Sequence, residues 1–332
     1  MRKFLHLLIL MLLTTTAKAQ SVAPEDGYYK VKYSWKFQHV KWSFSVGIPE
    51  NVYDFYRERT HYNDDLMHYV LSEYDREYLR EIVESFRVGG EKWGLSDIDN
   101  VFNVVSFVQS LKYVTDESSK GEQEYVRYPI ETLVDGRGDC EDVAILAASI
   151  LHEMGYGVLM VMLPEHLALA VKYEKDFPGT YYEYEGDKYY YLEMTDLGWD
   201  LGQIPNRYRG QTATVIPLVN RPVARFVQCG YQYGSYYTYM TEVDFHLECS
   251  VENIGPGKTD GLSVRVLLKR DKDSDAVLAQ KLYALKDLPE AGRATFKMTF
   301  PVPRPVIGVL EFRLEGGNFD TSNLIVERIM LE

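Results

Sequence analysis

Two kinds of hydrophobic pattern share the first part of the chain. Between residues 27 and 46 apolar and polar positions alternate, and a period of two predicts strands. Between Tyr74 and Val88 the apolar positions repeat with the period of a helix, and Gly89-Gly90 is typical of a helix end. A second apolar stripe predicts a helix over about 97–112. Strands and helices are therefore both expected in this part of the chain.

The middle of the chain predicts one buried helix that begins in a glycine turn. Gly136-Arg137-Gly138 allows the backbone to turn tightly, and the apolar run 143–151 then predicts a helix. Asp139 is of the type that caps a helix N-terminus, and Glu141 and Asp142 suit the first helical turn. Cys140 is thus expected at or beside the helix N-terminus.

Short strands follow this helix. Val158–Leu163 and His166–Val171 have the continuous apolar character of buried strands. Thr180–Tyr184 and Lys188–Thr195 flank Glu185-Gly186-Asp187, whose composition is typical of a hairpin turn. A helix followed by closely spaced strands predicts an α+β fold with the helix packed on an antiparallel sheet.

The pattern changes again at about Pro222. Further strands with alternating apolar positions are separated by Gly, Pro and Asp clusters, and no helix pattern intervenes before the last few residues. These features predict an all-β sandwich. We therefore expect an extension at 20–95 that packs on the core, an α+β core at 96–215 and the sandwich at 222–332. Residues 20–95 could alternatively be a removable pro-segment.

The first 19 residues have the composition of a secretory signal peptide. Arg2 and Lys3 precede the apolar run 4–13, and Ala17-Lys18-Ala19 matches a cleavage site. An N-terminal membrane anchor is the alternative, but the run is too short to span a bilayer. We therefore expect an exported protein, periplasmic or extracellular, with no membrane span after removal of residues 1–19.

Charge and cysteine content narrow the function classes. The net charge is −13, and removing the three basic residues of positions 1–19 leaves −16, so the chain should repel nucleic acid and anionic membranes. Three cysteines exclude a disulfide-stapled scaffold. Export would permit one disulfide, Cys229 to Cys249, and would leave Cys140 as the odd thiol. That thiol is then either a reactive group or a buried, inert one.

The environment of Cys140 acts on its thiol in two directions. Unpaired N–H groups and the dipole at a helix N-terminus favour the thiolate, which is the nucleophilic form. The carboxylates of Glu141 and Asp142 oppose it, because nearby negative charge raises the pKa of a thiol.

A cysteine nucleophile needs a base and a group that orients the base. His152 lies 12 residues after Cys140 on the same predicted helix, about 18 Å along its axis, and is out of reach. His166 begins a strand and is the better candidate, although a purely structural histidine would suit this position too. Glu193, between two apolar residues, is the candidate orienting group, and Asp196 is the alternative.

These elements resemble the bacterial and archaeal transglutaminase-like cysteine peptidase superfamily, with its papain-like Cys-His-Asp/Glu site. The resemblance covers about residues 96–215 and rests on three motifs in order: Gly138-Asp139-Cys140-Glu141-Asp142, His166, and Tyr191-Leu192-Glu193-Met194-Thr195. It implies that Cys140 is the nucleophile, His166 the general base and acid, and Glu193 the residue that holds the imidazole. Many members have Asp where this chain has Glu193.

The resemblance also suggests an oxyanion donor and a second module. The amide of Gln109 and the backbone N–H of Cys140 are the candidate donors, and Gln109 could instead be a helix surface residue. The C-terminal region is similar to the immunoglobulin-like or CARDB-like modules of secreted bacterial proteins, through its strand spacing and the turn 253–257. Such modules bind or act as spacers.

The sequence thus predicts an exported cysteine enzyme that attacks amide bonds through an acyl-enzyme. We favour a peptidase or amidase over a transglutaminase, with protein or peptide substrates, cell-wall peptides among them. The alternative is a catalytically silent scaffold that binds partners through the β-sandwich and tyrosine-rich surfaces. No metal or cofactor is expected, since Asp271–Asp275 resembles a calcium loop but lacks its glycine and its final glutamate.

Overall fold

A computed structural model describes residues 23–61, 65–119, 125–195, 198–274 and 276–331. The expected signal peptide, residues 1–19, lies outside this range. The chain divides into two compact units. We call residues 23–61 with 75–216 the first unit, and residues 65–74 with 217–331 the second unit. Among the described residues no helix has both the length and the hydropathy needed to cross a membrane.

The described residues form helices and strands throughout. The helices are α1 (Glu50–Arg57), α2 (Met67–Val70), α3 (Arg76–Trp93), α4 (Asp97–Val108), α5 (Asp116–Ser119), α6 (Pro129–Asp135) and α7 (Cys140–Glu153), with a 3₁₀ turn at Asn206–Tyr208. The strands are β1 (Tyr28–Phe37), β2 (Val40–Pro49), β3 (Lys112–Tyr113), β4 (Arg137–Gly138), β5 (Val158–Leu163), β6 (His166–Lys172), β7 (Tyr181–Tyr184), β8 (Asp187–Leu192), β9 (Thr214–Pro217), β10 (Ala224–Tyr233), β11 (Glu242–Asn253), β12 (Ser263–Lys269), β13 (Val277–Ala284), β14 (Arg293–Pro303), β15 (Val306–Glu315) and β16 (Ser322–Leu331). This mixture confirms the predicted α+β class.

One predicted helix end is wrong. Helix α3 runs through Gly89-Gly90 to Trp93 and ends at Gly94, whose left-handed φ of 64° closes it. The glycine pair serves packing instead. A Cβ on Gly89 would lie 2.2 Å from the Trp42 ring, and one on Gly90 would lie 2.4 Å from Asn100 Oδ1. The missing side chains let neighbouring groups approach the helix backbone.

In the first unit helix α7 packs against a sheet with strand order β7-β8-β6-β5-β9. The described pairings within β7, β8, β6 and β5 are antiparallel, and residue 163 on β5 lies opposite His166 on β6. Helices α3, α4 and α6 pack around α7, which is apolar and buried over most of its length. The core therefore holds the N-terminus of α7 beside the start of β6.

In the second unit two sheets share one hydrophobic core. Their strand orders are β10-β11-β14 and β13-β12-β15-β16, and both contribute residues to the same buried cluster. Cys229 and Cys249 lie directly opposite each other on β10 and β11 and form a disulfide. Cys140 is the free cysteine.

Candidate functional site

The start of helix α7 is built as its sequence predicts. Helix α6 ends at Gly136, whose φ of 62° is left-handed. Strand β4 then pairs with β3, and Asp139 is the extended N-cap residue that precedes Cys140. The side chains of Asp139 and Asp142 each accept a backbone N–H of the other residue in a capping box. This local structure fixes Cys140 as the first helical residue.

A buried ion network lies beneath this turn. The fully buried Arg127 donates to both Asp142 and Asp116, and its distance to the Asp116 carboxylate is 2.8 Å. Burial raises the pKa of Asp142 to about 7, and the positive charge of Arg127 opposes that rise. The Asp142 carboxylate packs against Gly138, where an added Cβ would lie only 2.5 Å from the Asp142 side chain. A larger residue at position 138 would therefore displace the Asp142 side chain.

His166 and Glu193 come together where β6 begins and the neighbouring strand β8 ends. Their side chains are almost completely buried, and His166 Nε2 lies 3.2 Å from Glu193 Oε2. The sequence places Glu193 within a strand, but β8 ends at Leu192. The chain turns there because Glu193 Oε1 accepts the following backbone N–H groups, those of Met194 at 3.1 Å and Thr195 at 3.0 Å.

The Glu193 carboxylate is held in its ionised form. Its Oε2 also accepts the Tyr191 hydroxyl at 2.7 Å, and its Oε1 accepts the Thr195 hydroxyl at 2.8 Å. Burial by itself would raise the pKa of Glu193, but the hydrogen bonds from His166, Tyr191 and Thr195 lower it to about 2. An ionised carboxylate only accepts hydrogen bonds. His166 Nε2 therefore donates, and Nδ1 is the acceptor nitrogen of the neutral ring.

Tyr208 covers the imidazole and was not predicted. Its ring is stacked on that of His166 with the centroids 4.7 Å apart and an angle of 2° between the planes. The Arg207 guanidinium lies 4.7 Å from the centroid of the same Tyr208 ring. No periodic pattern of the sequence marks Tyr208, because it follows an irregular segment. Tyr191, by contrast, lies two residues before Glu193, and the alternation of side chains along a strand predicts that both point to the same face of the sheet.

The Cys140 thiol is neutral in this structure. Its Sγ donates to Glu141 Oε2 at 3.1 Å and accepts a hydrogen bond from the Leu167 backbone N–H. Burial first, then the charge and hydrogen bond of Glu141, raise the pKa of Cys140 to about 12. Burial and the acids together thus outweigh the helix N-terminus. Leu167, whose N–H contacts the thiol, directly follows His166 in β6, and the thiol proton is directed to Glu141 rather than to the imidazole.

A second set of carboxylates lies beside the thiol. Asp116, Asp139 and Glu141 each offer an oxygen, and these oxygens all lie within 4.8 Å of one another. Burial and then the charge of Glu141 raise the pKa of Asp139 to about 8. Hard divalent cations prefer oxygen ligands, and among the residues that the structure describes these three carboxylates form a group with suitable ligands for such a cation. The sequence gives no direct signal for this carboxylate group, because Asp116 belongs to α5, a separate segment that precedes the turn before Cys140.

The remaining predicted residues have different positions. Gln109, at the end of α4, donates from Nε2 to the backbone oxygen of Glu193 at 3.5 Å, so it contacts the turn that holds the carboxylate. Asp196 lies outside the described residues. Cys229 and Cys249 belong to the second unit. A cavity of about 510 Å³ lies beside Tyr208, with Thr180, Gln203, Arg209 and Gln211 among its lining residues.

Residues 91–182 match the model of a transglutaminase-like domain family. The matched segment contains Cys140 and His166 and ends before Glu193 and Tyr208. The chain therefore contains a transglutaminase-like domain, a domain type typical of cysteine enzymes. No curated protein matches the chain.

Similarity to solved structures is low. The red sea bream transglutaminase is 11% identical, with 90% of this chain and 61% of that chain covered and a TM-score of 0.20. A GH2 β-galacturonidase from Eisenbergiella tayi is 16% identical, with 52% of this chain and 31% of that chain covered and a TM-score of 0.23. Likenesses at this level carry no argument about function.

Proposed function

We propose that the chain is an exported cysteine enzyme that cleaves or transfers at amide bonds through Cys140, His166 and Glu193. The observation that carries this proposal is the His166–Glu193 pair, in which five hydrogen bonds fix the carboxylate and hence the ring. The hydrogen bond from Leu167 N–H to the thiol supports Cys140 as the third member. A base held by an ionised carboxylate beside a thiol is the arrangement that nucleophilic catalysis requires.

The neutral thiol requires general-base catalysis. His166 Nδ1 takes the thiol proton as Sγ attacks the substrate carbonyl carbon, and the Glu193 carboxylate stabilises the imidazolium. The tetrahedral intermediate collapses to a thioester, and the imidazolium gives its proton to the departing amine. Water or a second amine, deprotonated by His166, then attacks the thioester. The tetrahedral intermediate expels the Cys140 sulfur, and the imidazolium returns its proton to that sulfur. The Cys140 backbone N–H at the helix N-terminus is the candidate oxyanion donor, with the Gln109 amide as the alternative.

Hydrolysis of protein or peptide substrates, cell-wall peptides included, is our preferred reaction. The composition of residues 1–19 supports export, and the Cys229–Cys249 disulfide is compatible with an oxidising compartment. We further propose that the two sheets of the second unit form an immunoglobulin-like sandwich that binds or spaces rather than catalyses. The shared core and the antiparallel strands support this assignment.

Acylation with p-nitrophenyl acetate tests the proposal. We expect a burst of nitrophenolate and an acetyl group on Cys140 in the mass spectrum. Cys140→Ala should abolish both, and His166→Ala and Glu193→Gln should slow acylation by about 10²-fold or more. His152→Ala is the matched control, since that histidine lies at the far end of α7. Peptide products measured with and without a primary amine then separate hydrolysis from transfer.

One observation favours the alternative of a silent scaffold. The thiol proton is directed to Glu141, and the raised pKa of Cys140 disfavours the nucleophilic form. The absence of an acetyl group on Cys140, with full labelling of the unfolded protein by iodoacetamide, would support that alternative and contradict the enzyme.

A further inference from the structure

The Tyr208 ring is packed against His166. The side chain is 8% exposed and belongs to the hydrophobic cluster that covers this face of the sheet. The 3₁₀ turn at Asn206–Tyr208 fixes its backbone, with Tyr208 N–H donating to Pro205 O at 2.9 Å. A ring packed in this way presents one face to the imidazole.

The face of a tyrosine ring is electron-rich and attracts a cation stacked on it. His166 becomes cationic when it accepts the thiol proton in the proposed mechanism. It is in direct contact with the Glu193 carboxylate at Nε2 and with the Tyr208 ring. The next residue of β6, Leu167, contacts the Cys140 thiol through its backbone N–H, and Glu141 and Asp139 lie beside that thiol. Glu193 fixes one edge of the imidazole, and Tyr208 covers one face.

Arg207 competes for the same ring. Its guanidinium lies over Tyr208 at 4.7 Å, and the residue is exposed, so its removal should not disturb the fold. A permanent cation on the ring draws on the same π electrons and adds positive charge near the imidazolium. Tyr208 and Arg207 should therefore act on His166 with opposite sign.

We infer that Tyr208 is a positioning residue that orients His166 and stabilises its protonated form through the ring face, and that Arg207 moderates this effect. The inference rests on the proposed function. It assigns a role to a residue outside the segment 91–182 that matches the transglutaminase-like domain.

The pH profile of p-nitrophenyl acetate acylation tests this inference. The acid limb reports the loss of neutral His166, so a less stable imidazolium moves it to lower pH. We expect Tyr208→Leu to move the acid limb down by about 0.5 to 1 pH unit and to lower the plateau rate several-fold. Tyr208→Phe keeps the ring and should retain the wild-type profile. Arg207→Ala should move the limb to higher pH.

Each result decides the inference. A Tyr208→Phe profile like that of Tyr208→Leu would assign the effect to the hydroxyl and overturn it, as would unchanged limbs in Tyr208→Leu and Arg207→Ala. If Tyr208→Leu does not fold, Arg207→Ala decides by itself. A Cys140→Ala protein that still acylates, or an acid limb unaffected by His166→Ala, contradicts the proposed function instead. Loss of activity in those two variants with unshifted limbs in the others contradicts the inference alone.

Discussion

The protonation state of Cys140 is decided by its nearest neighbours. A helix N-terminus favours a thiolate by roughly 0.3–1 kcal/mol when exposed. Burial and the adjacent Glu141 act in the opposite direction and raise the pKa of Cys140 to about 12. A thiol of this kind reacts only when a base removes its proton during attack, which is the role that we propose for His166.

Glu141→Gln should make Cys140 more reactive. Removing the negative charge lowers the pKa of the thiol, and a decrease of one unit corresponds to about tenfold more thiolate at pH 8. We expect iodoacetamide to label Cys140 about 3- to 10-fold faster in this variant. Glu117→Gln, a change at an exposed acid with the same loss of charge, is the control. Equal acceleration in both variants would mean that net charge, not the contact with Glu141, sets the rate.

Glu193 should make stability depend on acid pH. Its pKa is lowered to about 2 from a usual 4.5, so its contribution is complete above pH 4.5 and is lost as the pH falls towards 2. The lowering corresponds to about 3 kcal/mol of unfolding free energy. Glu193→Gln should lose this part of the pH dependence, measured by urea unfolding between pH 2 and 6. Glu183→Gln, an exposed carboxylate on β7, should keep the wild-type dependence.

At the scale of the element, two sets of contacts fix the N-terminus of α7, one local and one tertiary. The sequence supplies the capping box of Asp139 and Asp142. The tertiary structure adds Arg127, which bonds both Asp142 and Asp116 from inside the core. Because Asp142 serves both networks, the position of Cys140 depends on the contact between Asp142 and Arg127, which are 15 residues apart in the chain.

Gly138→Ala should destabilise this element. The new Cβ would lie 2.5 Å from the Asp142 side chain and 2.7 Å from its Oδ2, so the first turn of α7 must shift. We expect a loss of about 1–3 kcal/mol in unfolding free energy and slower acylation of Cys140. Gly47→Ala is the control, since its Cβ would make an ordinary 3.7 Å contact with Tyr28. Wild-type stability in Gly138→Ala would show that the turn can relax without cost.

At the scale of the whole molecule, the free cysteine and the cystine belong to different units. Cys140 lies in the first unit, and the Cys229–Cys249 disulfide joins neighbouring strands of the second. The free thiol and the disulfide thus lie in different units, and each can be removed by substitution without changing the other.

Cys229→Ala/Cys249→Ala should destabilise the second unit. Its disulfide closes a loop with a sequence separation of 20, which corresponds to about 3 kcal/mol in the chain-entropy account. Thermal unfolding followed by near-UV circular dichroism measures the loss. Acylation of Cys140 should keep its wild-type rate, and a reduced rate would show that the second unit supports the site.

The sequence specified most of what depends on neighbouring residues. The capped start of α7, the strands β5 and β6, and the hairpin turn at Glu185-Gly186 all follow from spacing and turn chemistry, and the structure confirms them. These features are local, so their causes lie within a few residues. The glycines at 89 and 90 do not end the helix as their type predicts, because their close packing with Trp42 and Asn100, not backbone freedom, requires them.

Only the tertiary structure decided what surrounds the reacting groups. The stacking of Tyr208 on His166, the burial of Arg127 and the joining of Asp116 to Asp139 and Glu141 bring together residues that no sequence period connects. The sequence by itself predicts Cys140, His166 and Glu193 as one candidate set, and it indicates opposing effects on the pKa of the thiol. The balance of these effects on the pKa of Cys140 depends on desolvation. Desolvation is a property of the folded interior, so the tertiary structure decides the protonation state of the thiol and the sequence does not.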